Sequence, residues 1–171
     1  MKGRGGFILV GVDDSPGARA ALEFAVEEGV AHGYAVELVT TWLWSSPYDG
    51  MDHVSSIAEG HDVARAAQDV VLEGVLGERA ERPVISQTVV HGHAGRALVE
   101  RAEGARMLVV GSSRKGAVAR AVLGSVSEYC VRHACAPVVV VADPRRLEHR
   151  APIDLHVVRL EPIPVTDRKG T

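Results

Sequence analysis

The stretch FILVGVDDSPGARAALEFAVEEGVAHGYAVELVTTW, Phe7 to Trp42, sets the fold class. FILVGV (Phe7 to Val12) is continuously apolar, the pattern of a parallel strand covered on both faces. Ser15-Pro16 then reads as a helix start. Serine supplies an N-cap oxygen, and proline at the first helical position loses no hydrogen bond because that N–H has no intrahelical partner. Ala18, Leu22, Ala25 and Gly29 recur on one face, the helix is expected to end near Gly33, and VELVTTW (Val36 to Trp42) reads as a second strand.

The same alternation continues outward. VISQTVV (Val84 to Val90), MLVVG (Met107 to Gly111) and PVVVVA (Pro137 to Ala142) read as three further strands. A helix over Ser56 to Leu76 places Ile57, Ala64, Ala67, Val71 and Val75 on one face, and shorter helices fit Gly95 to Glu103 and Ser125 to Ala134. Strand and helix alternate through the first 142 residues, which predicts an α/β three-layer sandwich, Rossmann-like, with right-handed crossovers. Residues 1–143 read as this domain and 144–171 as a C-terminal extension. In the extension PRRLEHRAP reads as a linker, and IDLHV alternates Ile153, Leu155 and Val157 against Asp154 and His156 as a short edge strand would.

At 171 residues the chain is about one domain long, a size that buries roughly 70% of the surface of the unfolded chain. With 46% hydrophobic and 24% charged residues and a formal net charge of -3, it offers no overall attraction to nucleic acid or an anionic membrane. No apolar run approaches a membrane span, and the opening MKGRGGFILVGVDDS meets acids after six apolar residues, unlike a signal peptide. The expected location is the cytoplasm, where Cys130 and Cys135 stay reduced.

In open parallel sheets a ligand binds outside the carboxyl ends of the strands, near the switch in strand order. That rule selects Asp13, Asp14 and Ser15 after the first strand, Thr41 and Trp42 after the second, His91, Gly92 and His93 after the third, and Gly111 to Ser127 after the fourth. In the last group Gly111 leaves a strand, and Gly124-Ser125 precede a helix. Backbone N–H groups, the Ser125 hydroxyl and a helix N-terminus can therefore converge on an anion; the alternative is that the glycines only permit a tight strand exit. GSSRKG is not a P-loop, since Ala117 and Val118 stand where lysine and serine or threonine are required.

The other candidates are weaker. His91 and His93 have no acidic or cysteine partner nearby, and Cys130, His133 and Cys135 have no fourth ligand, so neither group reads as a metal site. Trp42, Trp44 and Tyr48 can stack on a base or cover the sheet edge. Asp14 can cap the first helix or, with Asp13, hold Mg2+ as in receiver domains, but a receiver needs an aspartate ending the third strand and VVHGH stands there. Nothing suggests nucleophilic catalysis: Ser125 has no histidine base in sequence and no G-x-S-x-G elbow is present.

Across residues 6 to 142 the chain resembles the universal stress protein family, through ILVGVDDSPGARAAL, VVHGHAGRALVERAEGARMLVVGS and GAVARAVLGSVSEYCVRHACAPVVVV. The family's nucleotide-binding members carry a glycine, two residues, a second glycine, nine residues, then glycine and serine or threonine. Gly111, Gly124 and Ser125 match this spacing, and Arg114 stands at the second glycine. The resemblance implies a five-stranded parallel sheet of order 3-2-1-4-5 and homodimers paired through the last strand. It implies that Asp13 binds the ribose hydroxyls, that Val12, Thr41 and Val110 line an adenine pocket, and that Gly111, Gly124, Ser125, Val126 and Ser127 hold phosphates. It further implies ATP or AMP as ligand, with Mg2+ in some members, and a stress-response regulator that is at most a weak ATPase.

Arg114 sets two readings against each other. A non-glycine residue at a positive φ costs roughly 1–2 kcal/mol, and its side chain can fill the phosphate position. Arginine is also a good bidentate phosphate partner, here beside Lys115. The first reading closes the loop and leaves a dimeric interaction module that binds no nucleotide; the second makes Arg114 part of the site.

Overall fold

In the computed structural model the described residues are 6–42, 53–77, 79–112 and 124–143. The first apolar run forms β1 (Phe7–Gly11), in which Ile8, Leu9 and Val10 are fully buried. Ser15 adopts extended angles and its Oγ accepts the Ala18 N–H at 3.1 Å, which starts α1 (Pro16–His32). Ala18, Leu22, Ala25 and Gly29 are all buried on that helix. It stops at Gly33, whose φ of 67° is a left-handed value that favours glycine and whose N–H donates to the Gly29 carbonyl. The chain continues as β2 (Ala35–Trp42), α2 (His53–Leu76), β3 (Ile85–His91), α3 (Ala94–Arg101), β4 (Met107–Gly111), α4 (Ser125–His133) and β5 (Val138–Val141).

The five strands make one parallel sheet of order β3-β2-β1-β4-β5. Alternate residues of β1 feed two cores. On one face Ile8 and Val10 pack with Val36 and Leu38 of β2, with Leu22, Ala25 and Val26 of α1 and with Val75 of α2. On the other, Leu9, Val39, Leu108 and Val110 pack with Leu98 of α3 and Cys130 of α4. Helices thus cover both faces, and the order of connection reverses between β1 and β4, where crevices form.

The expected α2 face differs in one place. Ala67 is exposed, and Gln68 is the buried neighbour at 1% exposure. At about 100° per residue, Gln68 lies about 40° round the helix from buried Ala64 and Ala67 about 60° the other way. The amide of Gln68 reaches the sheet, where Nε2 donates to the carbonyls of Leu38 at 3.2 Å and Thr88 at 3.3 Å. Its polarity is accommodated because strand carbonyls accept it. The IDLHV segment, Trp44 and Tyr48 lie outside the described residues, as does Ile57 as a side chain. Among the described residues no helix is long and apolar enough to cross a membrane.

Candidate functional site

At the carboxyl edge of the sheet, where the connections after β1 and β4 part, there is a cavity of about 400 Å³. Its floor is apolar, made by Val12, Val39, Leu98 and Val110, and its rim carries Asp13, Ser15, Thr41 and Ser125. An apolar pocket with a few convergent polar groups is the usual form of a small-molecule site. Val12, Asp13, Thr41, Val110, Gly111, Gly124, Ser125, Val126 and Ser127 all line this one cavity, although they come from four separate stretches of chain. Arg114 lies outside the described residues.

Each polar group is held by local geometry. The Asp13 Oδ1 accepts the Ser15 N–H at 2.9 Å, which closes the turn into α1 and leaves the other carboxylate oxygen without a partner among the described residues. Helix α4 follows Gly124, which offers no side-chain cap, so among the described residues nothing caps its first-turn N–H groups, and Gly124 to Ser127 line the cavity. The Ser127 hydroxyl donates its proton to the Gly124 carbonyl at 2.9 Å, whereas among the described residues no hydrogen bond engages the Ser125 hydroxyl.

Gly111 answers to a second requirement. A Cβ there would overlap the carbonyl carbon of Gly17 and stand 2.5 Å from Gly17 O and 2.6 Å from Ala18 N. The first turn of α1 therefore rests directly on the end of β4, and only glycine permits it.

The backbone of β2 contributes as well. Residues of a parallel strand turn their N–H and C=O alternately to one neighbour and the other. Odd residues face β1, as the Ala35 N–H to Gly6 and Val12 N–H to Val39 bonds show, while even residues face β3, as in Val36 N–H to Val84 and Gly92 N–H to Trp42. Thr41 therefore faces the side of β1, but β1 ends at Gly11 and the ladder stops with Val12 N–H on Val39. Its main-chain donor and acceptor are left at the cavity wall.

Sequence reasoning missed Ala94 and Leu98, which α3 brings to the wall, together with Gly11 and Val39. Leu98 reaches the floor because Gly11 has no side chain: a Cβ there would lie 2.8 Å from Leu98 Cδ1. Period-2 alternation places Val39 beside Thr41, and that signal was available.

The remaining candidates fall elsewhere. Asp14 is exposed and does not cap α1; Ser15 does, with Asp13 bracing its N–H. Trp42 turns to the opposite face, where its indole tilts against His91 with ring centroids 4.7 Å apart and fills the space over Gly60. It does not line the cavity. Burial raises the Cys130 thiol to about 11, so it stays protonated near neutral pH. Among the described residues no three His, Cys, Asp or Glu side chains gather to hold a metal ion.

Comparison with known proteins shows the family and the fold. The model of the Universal stress protein family matches residues 7–142. The Universal stress protein Rv1996 of Mycobacterium tuberculosis is 32% identical over 156 residues, covering 81% of this chain and 49% of its own length. The chain thus spans about half the length of the curated relatives it matches. Among solved structures, universal stress protein UspA from Lactobacillus plantarum shares the fold with a TM-score of 0.66 at 23% identity, over 82% of this chain and 99% of that one. A universal stress protein in complex with cAMP superposes with a TM-score of 0.59 at 26% identity, over 80% of this chain and 96% of that one. With the family model matched over residues 7–142 and curated relatives 32% identical over about four fifths of its length, the chain belongs to the universal stress protein family.

Proposed function

We propose that this protein binds an adenine nucleotide, AMP or ATP, in the cavity at the carboxyl ends of β1, β2 and β4 and acts as a nucleotide-dependent regulator in stress responses. The observation that carries the reading is the convergence of three complementary groups on one apolar pocket, each without a partner among the described residues: the second oxygen of Asp13, the main-chain edge of Thr41, and the start of α4 with the Ser125 hydroxyl. Asp13 suits ribose hydroxyls, the Thr41 edge suits a purine edge, and an uncapped helix start suits a phosphate. The cAMP complex of a 26% identical relative supports the same ligand class.

Little or no hydrolysis is the expectation, since Ala117 and Val118 stand where a P-loop carries lysine and serine or threonine. Mg2+ accompanying ATP would take its ligands chiefly from the phosphates, with the Asp13 carboxylate the one acidic side chain on the cavity wall among the described residues. A homodimer paired through β5 is supported by its edge: among the described residues β5 pairs with β4 alone, and its four valines are only half-buried. The setting of this activity is the cytoplasm.

The test is calorimetric titration of nucleotide-stripped protein with AMP and with ATP, each with and without Mg2+, alongside Asp13→Asn and Arg114→Gly. Micromolar binding that weakens about tenfold in Asp13→Asn is expected, the worth of one hydrogen bond to a charged group. Asparagine can still accept the Ser15 N–H, so the turn is kept. Binding that arises only in Arg114→Gly would overturn the reading in favour of a closed loop and an interaction module.

A further inference from the structure

We propose that Thr40, which does not touch the cavity, positions the edge of the site that reads the base; the inference rests on the adenine-nucleotide reading above. Thr40 is buried at 7% exposure, and as an even residue of β2 its side chain stands on the α1/α2 face with Val36 and Leu38, away from the cavity. Its hydroxyl donates to the main-chain carbonyl of Val12 at 2.9 Å.

That carbonyl has another natural partner. In a parallel ladder the Val12 N–H to Val39 bond is followed by a bond from the Thr41 N–H back to the Val12 carbonyl. The rung is not made. The Thr40 hydroxyl occupies the acceptor in its place, which satisfies a buried carbonyl and ends the β1–β2 ladder one rung early. From the other side the Gly92 N–H holds the Trp42 carbonyl at 3.0 Å, so Thr41 is fixed between two anchored neighbours, and among the described residues its own N–H and C=O are unpaired.

A donor and an acceptor from one strand residue match the edge of adenine, whose ring N1 accepts and whose 6-amino group donates. Hypoxanthine, with a 6-oxo group and a protonated N1, reverses both and is mismatched. Thr40 is therefore a positioning residue for base selectivity. Without its hydroxyl, the Val12 carbonyl takes the Thr41 N–H, the ladder closes by one rung and the reading edge loses its donor.

The test uses the full chain as parent, Thr40→Val and Thr40→Ser, in two measurements. Amide hydrogen exchange followed by NMR in the nucleotide-free protein should show fast exchange at Thr41 and protection at Val12 in the parent. Thr40→Val should slow Thr41 by at least about tenfold, the effect of one gained hydrogen bond, while Thr40→Ser behaves as the parent. Titration with AMP and inosine 5′-monophosphate should show a parent that prefers AMP. In Thr40→Val, AMP affinity should fall about tenfold and the preference should collapse, with Thr40→Ser restoring both. A Thr41 amide already protected in the parent overturns the inference. So does a parent that binds AMP while Thr40→Val matches it in affinity and selectivity, and in that case the nucleotide reading stands. A parent that binds neither nucleotide overturns both.

Discussion

Replacing Gly111 by alanine tests whether this glycine serves the packing of α1 as well as the ligand. The added Cβ would overlap the Gly17 carbonyl carbon and press on Gly17 O and Ala18 N at 2.5 and 2.6 Å. These are backbone atoms of a helix start pinned by the Ser15 cap, so no rotamer change relieves the contact. Overpacking a tight interior costs about 1–3 kcal/mol and sometimes more, and rigid contact atoms place this case near the upper end. At about 2–4 °C per kcal/mol for a chain of this size, the thermal midpoint falls by about 6–12 °C. Nucleotide affinity falls with it, because displacing Gly17 and Ala18 shifts the turn that orients Asp13. Urea unfolding of the nucleotide-free protein measures the cost directly. Gly33→Ala is the control: its φ is 67° but nothing lies within 4 Å of the new Cβ, so it should cost only about 1 kcal/mol. If Gly111→Ala proves no more destabilising than Gly33→Ala while nucleotide binding is lost, the glycine serves the ligand alone and the packing argument is wrong.

Further outcomes follow from the same structure. Ser15→Ala removes the oxygen that accepts the Ala18 N–H and should lower stability by about 1 kcal/mol in urea, with Ser15→Asp keeping most of the parent value; equal losses in both would remove the cap from the account. With a free thiol reagent at pH 8 the native protein should give one fast equivalent, from exposed Cys135, and two after denaturation. Cys130 has a folded value of about 11 against 9.0, so its contribution to stability is complete below about pH 9 and is lost as pH rises toward 11, while Cys130→Ala shows a flatter alkaline limb. An identical pH profile for parent and variant would refute the burial argument.

Much of this architecture was legible because the signals were local. FILVGV, MLVVG and VVVV are continuous apolar runs, and a strand buried on both faces writes its burial into consecutive residues. The bounds of α1 were equally plain, since Ser15-Pro16 and Gly33 each carry their own backbone chemistry. The site was legible only through topology: once five strands are parallel, the residues that end β1, β2 and β4 are brought together whatever lies between them. What escaped was the detail that depends on distant backbone. Nothing in AGRALVER says that Ala94 and Leu98 will overhang the crevice, because that depends on the absence of a side chain at Gly11, most of the domain away.

Thr40 and Thr41 show where that limit lies. As adjacent, identical residues ending one strand they are indistinguishable by composition or propensity, and alternation says only that they face opposite ways. Which of them meets the cavity depends on which strand lies on each side of β2 and on where β1 stops. β1 stops at Gly11, Thr40 donates its hydroxyl to the Val12 carbonyl, and among the described residues nothing pairs with the Thr41 main chain on the β1 side. The difference between a residue that lines the site and one that shapes it from behind is thus a matter of ladder register. Register sets Gly11 beside Val39, and a one-residue slip would exchange the roles of Thr40 and Thr41.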